Sequence, residues 1–333
     1  MNAALRPPYL IFIGDESRRS YAKTGQGLVD WRRELCAGQL RFEGNPLDLG
    51  LRDMSPSMAA EAGVGSLIVG TALVGGGVPP AWVETLCGAA RLGLDIVAGL
   101  HSRLEAIPAL VSAAAEGGAR LIDIRTPPAN IPVGSGRKRS GRRLLTVGTD
   151  CALGKKYTAL QLEQDMRDAG MAVDFRASGQ TGIMIAGQGI PIDCVVADFL
   201  TGAAELLSPD NAPEHWDVIE GQGAIFHPGY AAVSHGLLLG SQPDAFVVCH
   251  AAHRSAIEGW PDVPLRSIGE VIEETVRLGR LTNPAIRCAG ISVNTAAVPA
   301  GERDAYLVAL ADRYGLPCVD PLRDGTAAII ANL

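Results

Sequence analysis

Leu144-Leu145-Thr146-Val147-Gly148-Thr149-Asp150-Cys151-Ala152-Leu153-Gly154-Lys155-Lys156-Tyr157-Thr158 joins an apolar run to a glycine-bounded turn and a lysine at the mouth of an expected helix. A strand, a tight turn and a helix in that order aim several backbone N–H groups and a helix N-terminus at one point. An amine beside them completes a cradle for a phosphate or diphosphate. Residues Gly148 to Lys156 are therefore expected to grip a phosphorylated ligand, with Lys155 as the cation.

The spacing departs from the usual P-loop. Five residues separate Gly148 from Gly154 where the common pattern has four, and Lys156 stands where Ser or Thr normally binds magnesium. The longer form, Gly-Thr-Asp-x-x-x-Gly-Lys, resembles the loop of dethiobiotin synthetase and its relatives. Without the hydroxyl, such a loop is less suited to splitting a γ-phosphate unless Thr149, Thr158 or a carboxylate elsewhere substitutes.

Outward from the loop, short apolar runs alternate with longer amphipathic or alanine-rich segments in both halves, the pattern of parallel strands joined by helices. Strands are expected at 9–13, 66–70, 95–99 and 120–124, then at 144–147, 172–177, 194–198, 217–220, 245–249, 286–293 and 318–320. Helices are expected at 81–92, 104–116 and 155–169. The fold class is α/β, with one domain over 1–128, a Pro/Gly/Ser/Arg-rich linker over 129–143, and a P-loop NTPase-like parallel-sheet domain over 144–333. Glycine clusters follow the strand ends, including 75–77, where open α/β sheets bind ligands.

A chain of 333 residues that is 47% hydrophobic and 20% charged can bury a large core. The net charge of −7 argues against nucleic acid or a membrane surface as partner. The one basic cluster, Arg137-Lys138-Arg139 with Arg142-Arg143, reads as a solvated linker or as a contact to ligand phosphates. Seven cysteines without a C-x-x-C pair fit a reducing, cytoplasmic setting, and neither a signal peptide nor a membrane-length apolar run is expected. Cys151 reads as a small loop residue or as an activated thiol. His250 and His253 lack the partner spacing of a zinc site, so no metal is expected. A homo-oligomer is expected, since apolar helices on such sheets commonly pair.

Further candidates lie at later strand ends. Ser178, Gly179, Gln180, Thr181 and Gly182 offer hydroxyls, an amide and a permissive backbone to a polar substrate, or only a turn. Asp198 and Glu205 face one cleft if a helix begins after Phe199; otherwise they are a cap and a solvated side chain. Glu220-Gly221-Gln222-Gly223 ends another strand with a carboxylate, and His227 follows as a base or a structural imidazole. Asn294 ends a late strand with an amide able to pair with adenine, and an asparagine so placed binds the base in proteins similar to dethiobiotin synthetase.

Together, Gly148–Lys155, Gly179–Gly187, Asp193 with Asp198, and Glu220–Gly223 resemble one family, as do Gly99-Leu100-His101 and 123–128 in the first half. It is the two-domain P-loop family with a Rossmann-like N-terminal domain whose characterised members are D-glutamate N-acetyltransferases of the DgcN type. The resemblance implies transfer of acetyl from acetyl-CoA to the amine of D-glutamate, with a partner dehydrogenase acting on N-acetyl-D-glutamate. Asp198, Glu220 or His227 would then be the base, and Arg176, Arg254 and Lys156 the cations for a dicarboxylate. Gln222 joins the substrate contacts. The same loop also suits an ATP/Mg-dependent carboxylate-activating ligase or kinase, or a nucleotide-binding regulator without turnover.

Overall fold

The structure, a computed structural model, describes residues 5–19, 21–72 and 76–333. Gly75 of the first-half glycine cluster lies outside them. Two compact units divide the chain: residues 1–126 with 180–191, and residues 127–179 with 192–333.

The first unit carries a five-stranded parallel sheet in the order β2-β1-β3-β4-β5. Its strands are β1 (Tyr9–Gly14), β2 (Cys36–Arg41), β3 (Ser66–Val69), β4 (Asp95–Ala98) and β5 (Leu121–Asp123), and its helices α1 (Lys23–Trp31), α2 (Pro56–Glu61), α3 (Pro80–Arg91) and α4 (Pro108–Gly117). β1, β3 and β4 are buried throughout because helices cover both faces of such a sheet, and apart from Ser66 and Asp95 at the starts of β3 and β4 they are built of apolar residues and glycine. Proline opens α2, α3 and α4, where its missing N–H costs nothing. The edge strand β2 has no counterpart among the expected strands: Gln39 and Arg41 break its apolar pattern.

The second unit carries a six-stranded parallel sheet in the order β13-β12-β9-β6-β8-β7. β6 (Arg142–Gly148) lies between β8 (Trp216–Ile219) and β9 (Ala245–Ala251); β7 (Val173–Arg176), β12 (Arg287–Asn294) and β13 (Cys318–Val319) complete it. β10 (Ala256–Ile257) and β11 (Trp260–Pro264) form a small antiparallel ribbon. After β6 comes α5 (Lys155–Asp168). After β7 the chain enters the first unit as α6 (Gln180–Ala186), then returns through α7 (Leu200–Leu207), α8 (Ala231–Ser241), α9 (Ile268–Gly279), α10 (Arg303–Tyr314), α11 (Pro321–Asp324) and α12 (Ala327–Ile330). Among the described residues no helix is long and apolar enough to cross a membrane.

Two local expectations fail. The strand expected at 194–198 is a pair of single 3-10 turns, Ile192–Cys194 and Ala197–Phe199, and Asp198 is exposed on the second. Within the segment 129–143, the guanidiniums of Arg139 and Arg143 are buried rather than solvated. Arg139 Nε donates to Ser208 O at 2.6 Å, and Arg143 donates to Ser208 Oγ at 2.8 Å, Pro209 O at 2.9 Å and Arg139 O at 3.0 Å. Both are spent on capping carbonyls, which leaves neither for a ligand phosphate. A helix does begin after Phe199, at Leu200, and Glu205 on it is committed to the same segment, accepting from the N–H groups of Ser135 and Gly136.

Candidate functional site

In the second unit β6 ends at Gly148, and the loop to α5 turns through two positive-φ residues, Ala152 (φ 52°) and Gly154 (φ 108°). Only glycine reaches the latter without strain, and the exposed Ala152 in a left-handed conformation is the kind of cost kept at ligand loops. Lys155, the first residue of α5, is buried, and its Nζ donates to Asp150 O at 2.7 Å. Burial pushes its ammonium below the usual lysine range, while Cys151, Cys249 and Asp150 act against that shift. Gly148 gives this packing room, since a Cβ there would lie 3.0 Å from Asp150 O and 3.2 Å from Lys155 Nζ.

The loop is braced from outside. Asp150 is fully buried; its Oδ1 accepts from Cys151 N at 2.6 Å, and its Oδ2 accepts from Arg254 at 3.0 Å and from Glu258 N at 2.9 Å. Arg254 also donates to Cys151 O at 2.9 Å. Thr149 hydrogen-bonds to His250 Nδ1 at 3.1 Å, and Thr158 to Ser292 Oγ at 2.8 Å, so both hydroxyls offered as substitutes for the missing magnesium ligand are engaged. Burial, with Arg254 nearby, lowers His250 to about 4. Lys156 is half-buried over the Tyr157 ring at 4.8 Å.

Glu220 follows β8 directly and is 4% exposed. One oxygen, Oε2, accepts from both Ser178 N at 3.0 Å and Gly179 N at 2.9 Å. Ser178 Oγ in turn donates to Glu220 O and accepts from Gln222 Nε2 at 3.0 Å. Desolvation pushes the Glu220 carboxyl up to about 7 against those N–H groups and Lys156, with Asp193 adding to the rise. The next residue must be glycine: a Cβ on Gly221 would meet Thr146 O at 1.7 Å and Lys155 Cδ at 3.2 Å. Gly221 thus brings the Glu220 segment against the stem of the loop lysine.

His227 lies deeper than its sequence context suggests, at 1% exposure. Its ring stacks on Tyr230 with centroids 4.6 Å apart and meets the edge of Trp260 at 4.7 Å. Nε2 stands 3.8 Å from Asp150 Oδ1. Sequence reading missed Tyr230 and Trp260, whose only signal is aromatics beside a glycine turn, and Glu258, whose N–H reaches Asp150 across 108 positions.

Other expected site residues sit elsewhere or otherwise. Arg176 is bound to Asp217 at 2.9 Å and Asp174 at 3.0 Å, so it is not a free cation for a substrate. Gln180, Thr181 and Gly182 are not an open loop; they form the start of α6, buried in the first unit, where Thr181 Oγ1 lies 3.0 Å from Thr24 Oγ1. A Cβ on Gly99 would lie 1.9 Å from Gln180 Oε1, which accounts for that glycine by packing. Asn294 is exposed at the end of β12, its Oδ1 accepting from Ala296 N at 3.0 Å.

The fold and loop define a class: a two-domain α/β protein with a Rossmann-like domain ahead of a P-loop domain. Family models agree segment by segment, a domain of unknown function described as Rossmann-like (DUF1611_N) matching residues 42–127 and its P-loop counterpart (DUF1611_C) matching 132–330. The chain belongs to the DUF1611 family. A crystal structure of a DUF1611 family protein from Anabaena variabilis is similar at TM-score 0.90 and 30% identity, over 98% of this chain and 99% of that one. Two curated relatives, from Pseudoalteromonas sp and Tritonibacter scottomollicae, are 47% and 41% identical over 99% of both chains, and each is named D-glutamate N-acetyltransferase.

Proposed function

We propose that this chain moves an acetyl group from acetyl-CoA to the amine of D-glutamate, yielding N-acetyl-D-glutamate for a partner dehydrogenase. The observation that carries this reading is the 47% and 41% identity, over 99% of both chains, to relatives named for that reaction. The loop chemistry supports it. Coenzyme A presents a diphosphate and a 3′-phosphate to a cradle of this kind. With Lys156 in the hydroxyl position and Thr149 and Thr158 engaged, the donor set favours holding phosphates over splitting them.

In the reaction the amine attacks the thioester carbonyl, a C–N bond forms, the C–S bond breaks, and the thiol leaves as the amine proton is removed. Glu220 is proposed as the base: a buried carboxyl titrating near 7 takes a proton at neutral pH and can release it again. The N–H groups of Gln222 and Gly223 are proposed to stabilise the oxyanion, that of Gly221 being bound to Thr146 Oγ1 at 2.9 Å. Lys156, in the first turn of α5 beside the loop, is proposed to meet a substrate carboxylate. The test is thiol release from acetyl-CoA, expected only when D-glutamate is also present. Thiol release indifferent to the amino acid, or ADP release from Mg-ATP with D-glutamate, would replace this reading.

A further inference from the structure

Asp150, Cys151 and His227 bring one oxygen, one sulfur and one nitrogen within 4.8 Å of one another, a set able to hold a metal ion, and His227 has also been considered as a base. Both roles need a lone pair on Nε2, and the other ring nitrogen decides whether one exists. Nδ1 accepts from two backbone donors, Gly229 N and Tyr230 N, each at 3.1 Å. A nitrogen facing two N–H groups cannot carry a proton of its own, so in the neutral ring the proton sits on Nε2. Burial, with Lys155 nearby, keeps the ring neutral against the pull of Asp150.

Nε2–H is thus a donor, and among the described residues it has no hydrogen-bond partner although it is buried. Asp150 Oδ1, 3.8 Å away, is beyond hydrogen-bond distance, and that carboxylate is already served by Cys151 N, Glu258 N and Arg254. A buried donor left unpaired costs free energy, which an acceptor on a ligand recovers. Tyr230 and Trp260 fix the ring plane, so the donor direction is set in advance.

We infer that His227 is a ligand-binding residue whose Nε2–H donates to an anionic oxygen of the molecule held in the Gly148–Lys155 loop, and that it is neither the base nor a metal ligand. This rests on reading that loop as the phosphate site and holds whichever phosphorylated ligand it takes.

Two substitutions separate this from a purely structural role. His227→Asn places an acceptor where Nδ1 was, so the turn at Gly229 and Tyr230 survives while the Nε2 donor is lost. His227→Gln does the reverse. With both variants checked for folding by thermal melting, binding of coenzyme A is measured by calorimetry. The donor role predicts that Asn weakens binding about ten- to a hundredfold and Gln less. A structural role predicts the opposite order, and Asn binding like wild type would overturn the inference. Nitrogen-15 NMR of the wild-type imidazoles gives an independent reading, the His227 signals being those that vanish in the Asn variant. Nε2–H is expected, its resonance moving as coenzyme A is added; an Nδ1–H tautomer would sink the proposal. If wild type binds ATP but not coenzyme A, the acyl-carrier reading falls, and the Asn–Gln contrast measured with ATP still decides the role of His227.

Discussion

Glu220→Gln should make the protein more stable and nearly inactive, with the gain in stability depending on pH. In the folded chain the Glu220 carboxyl is raised from 4.5 to about 7, chiefly by desolvation. The native state therefore holds this proton more tightly than the unfolded chain does. Its contribution is most favourable below pH 4.5, falls as pH rises from 4.5 to about 7, and is flat above that range. At about 1.4 kcal/mol per pK unit, ionised Glu220 costs ~3 kcal/mol at pH 8 and under about 1 kcal/mol at pH 5. Glutamine removes the charge yet keeps the local bonds, because Ser178 N and Gly179 N both donate to one oxygen, which the amide carbonyl can replace. Chemical denaturation of wild type and variant at pH 5 and pH 8, with other carboxylates cancelling in the difference, should show a gain about 2 kcal/mol larger at pH 8. Transfer activity should fall by about 100- to 10,000-fold for loss of a general base, and wild-type kcat/KM should rise through pH ~7 as the carboxyl ionises. A gain equal at both pH values, or a loss of stability at pH 8, would refute the desolvated-carboxyl argument. Full activity in the variant would remove Glu220 as the base while leaving the stability argument standing.

Lys155→Ala should weaken coenzyme A binding by about 10- to 100-fold, the worth of a charge-assisted contact; unchanged affinity by calorimetry would count against the cradle. Gly221→Ala must push the Glu220 segment off β6, because the new Cβ would lie 1.7 Å from Thr146 O. A lower melting temperature together with lost transfer is expected, and wild-type values for both would contradict the close approach. Arg143→Leu leaves the carbonyls of Arg139, Ser140 and Pro209 without a buried donor, and should cost about 3–5 kcal/mol in denaturant titrations. Its cost should appear as a shift in midpoint, with ligand affinity unchanged in the folded fraction.

The sequence discloses features that depend on neighbours along the chain. The central strands of both parallel sheets were legible, because β1, β3, β4 and β9 are mostly apolar runs bounded by turns, whereas the edge strand β2 was not; the loop was legible because two glycines and a lysine at fixed spacing suffice to build it. Where a short apolar run is equally compatible with a buried strand and a tight turn, periodicity cannot choose, and Cys194-Val195-Val196-Ala197-Asp198 went the wrong way for that reason. Chemical roles were harder, since they depend on what arrives from elsewhere. Arg176 looks like a substrate cation until β8 brings Asp217 beside it. Arg254 looks the same until it meets Asp150, 104 positions earlier. His227 marks the sharpest limit. Its residue type permits base, metal ligand or donor, and the choice among them is made by two backbone N–H groups two and three residues further on. A histidine's function is therefore settled less by its pKa than by which of its nitrogens the fold has already occupied.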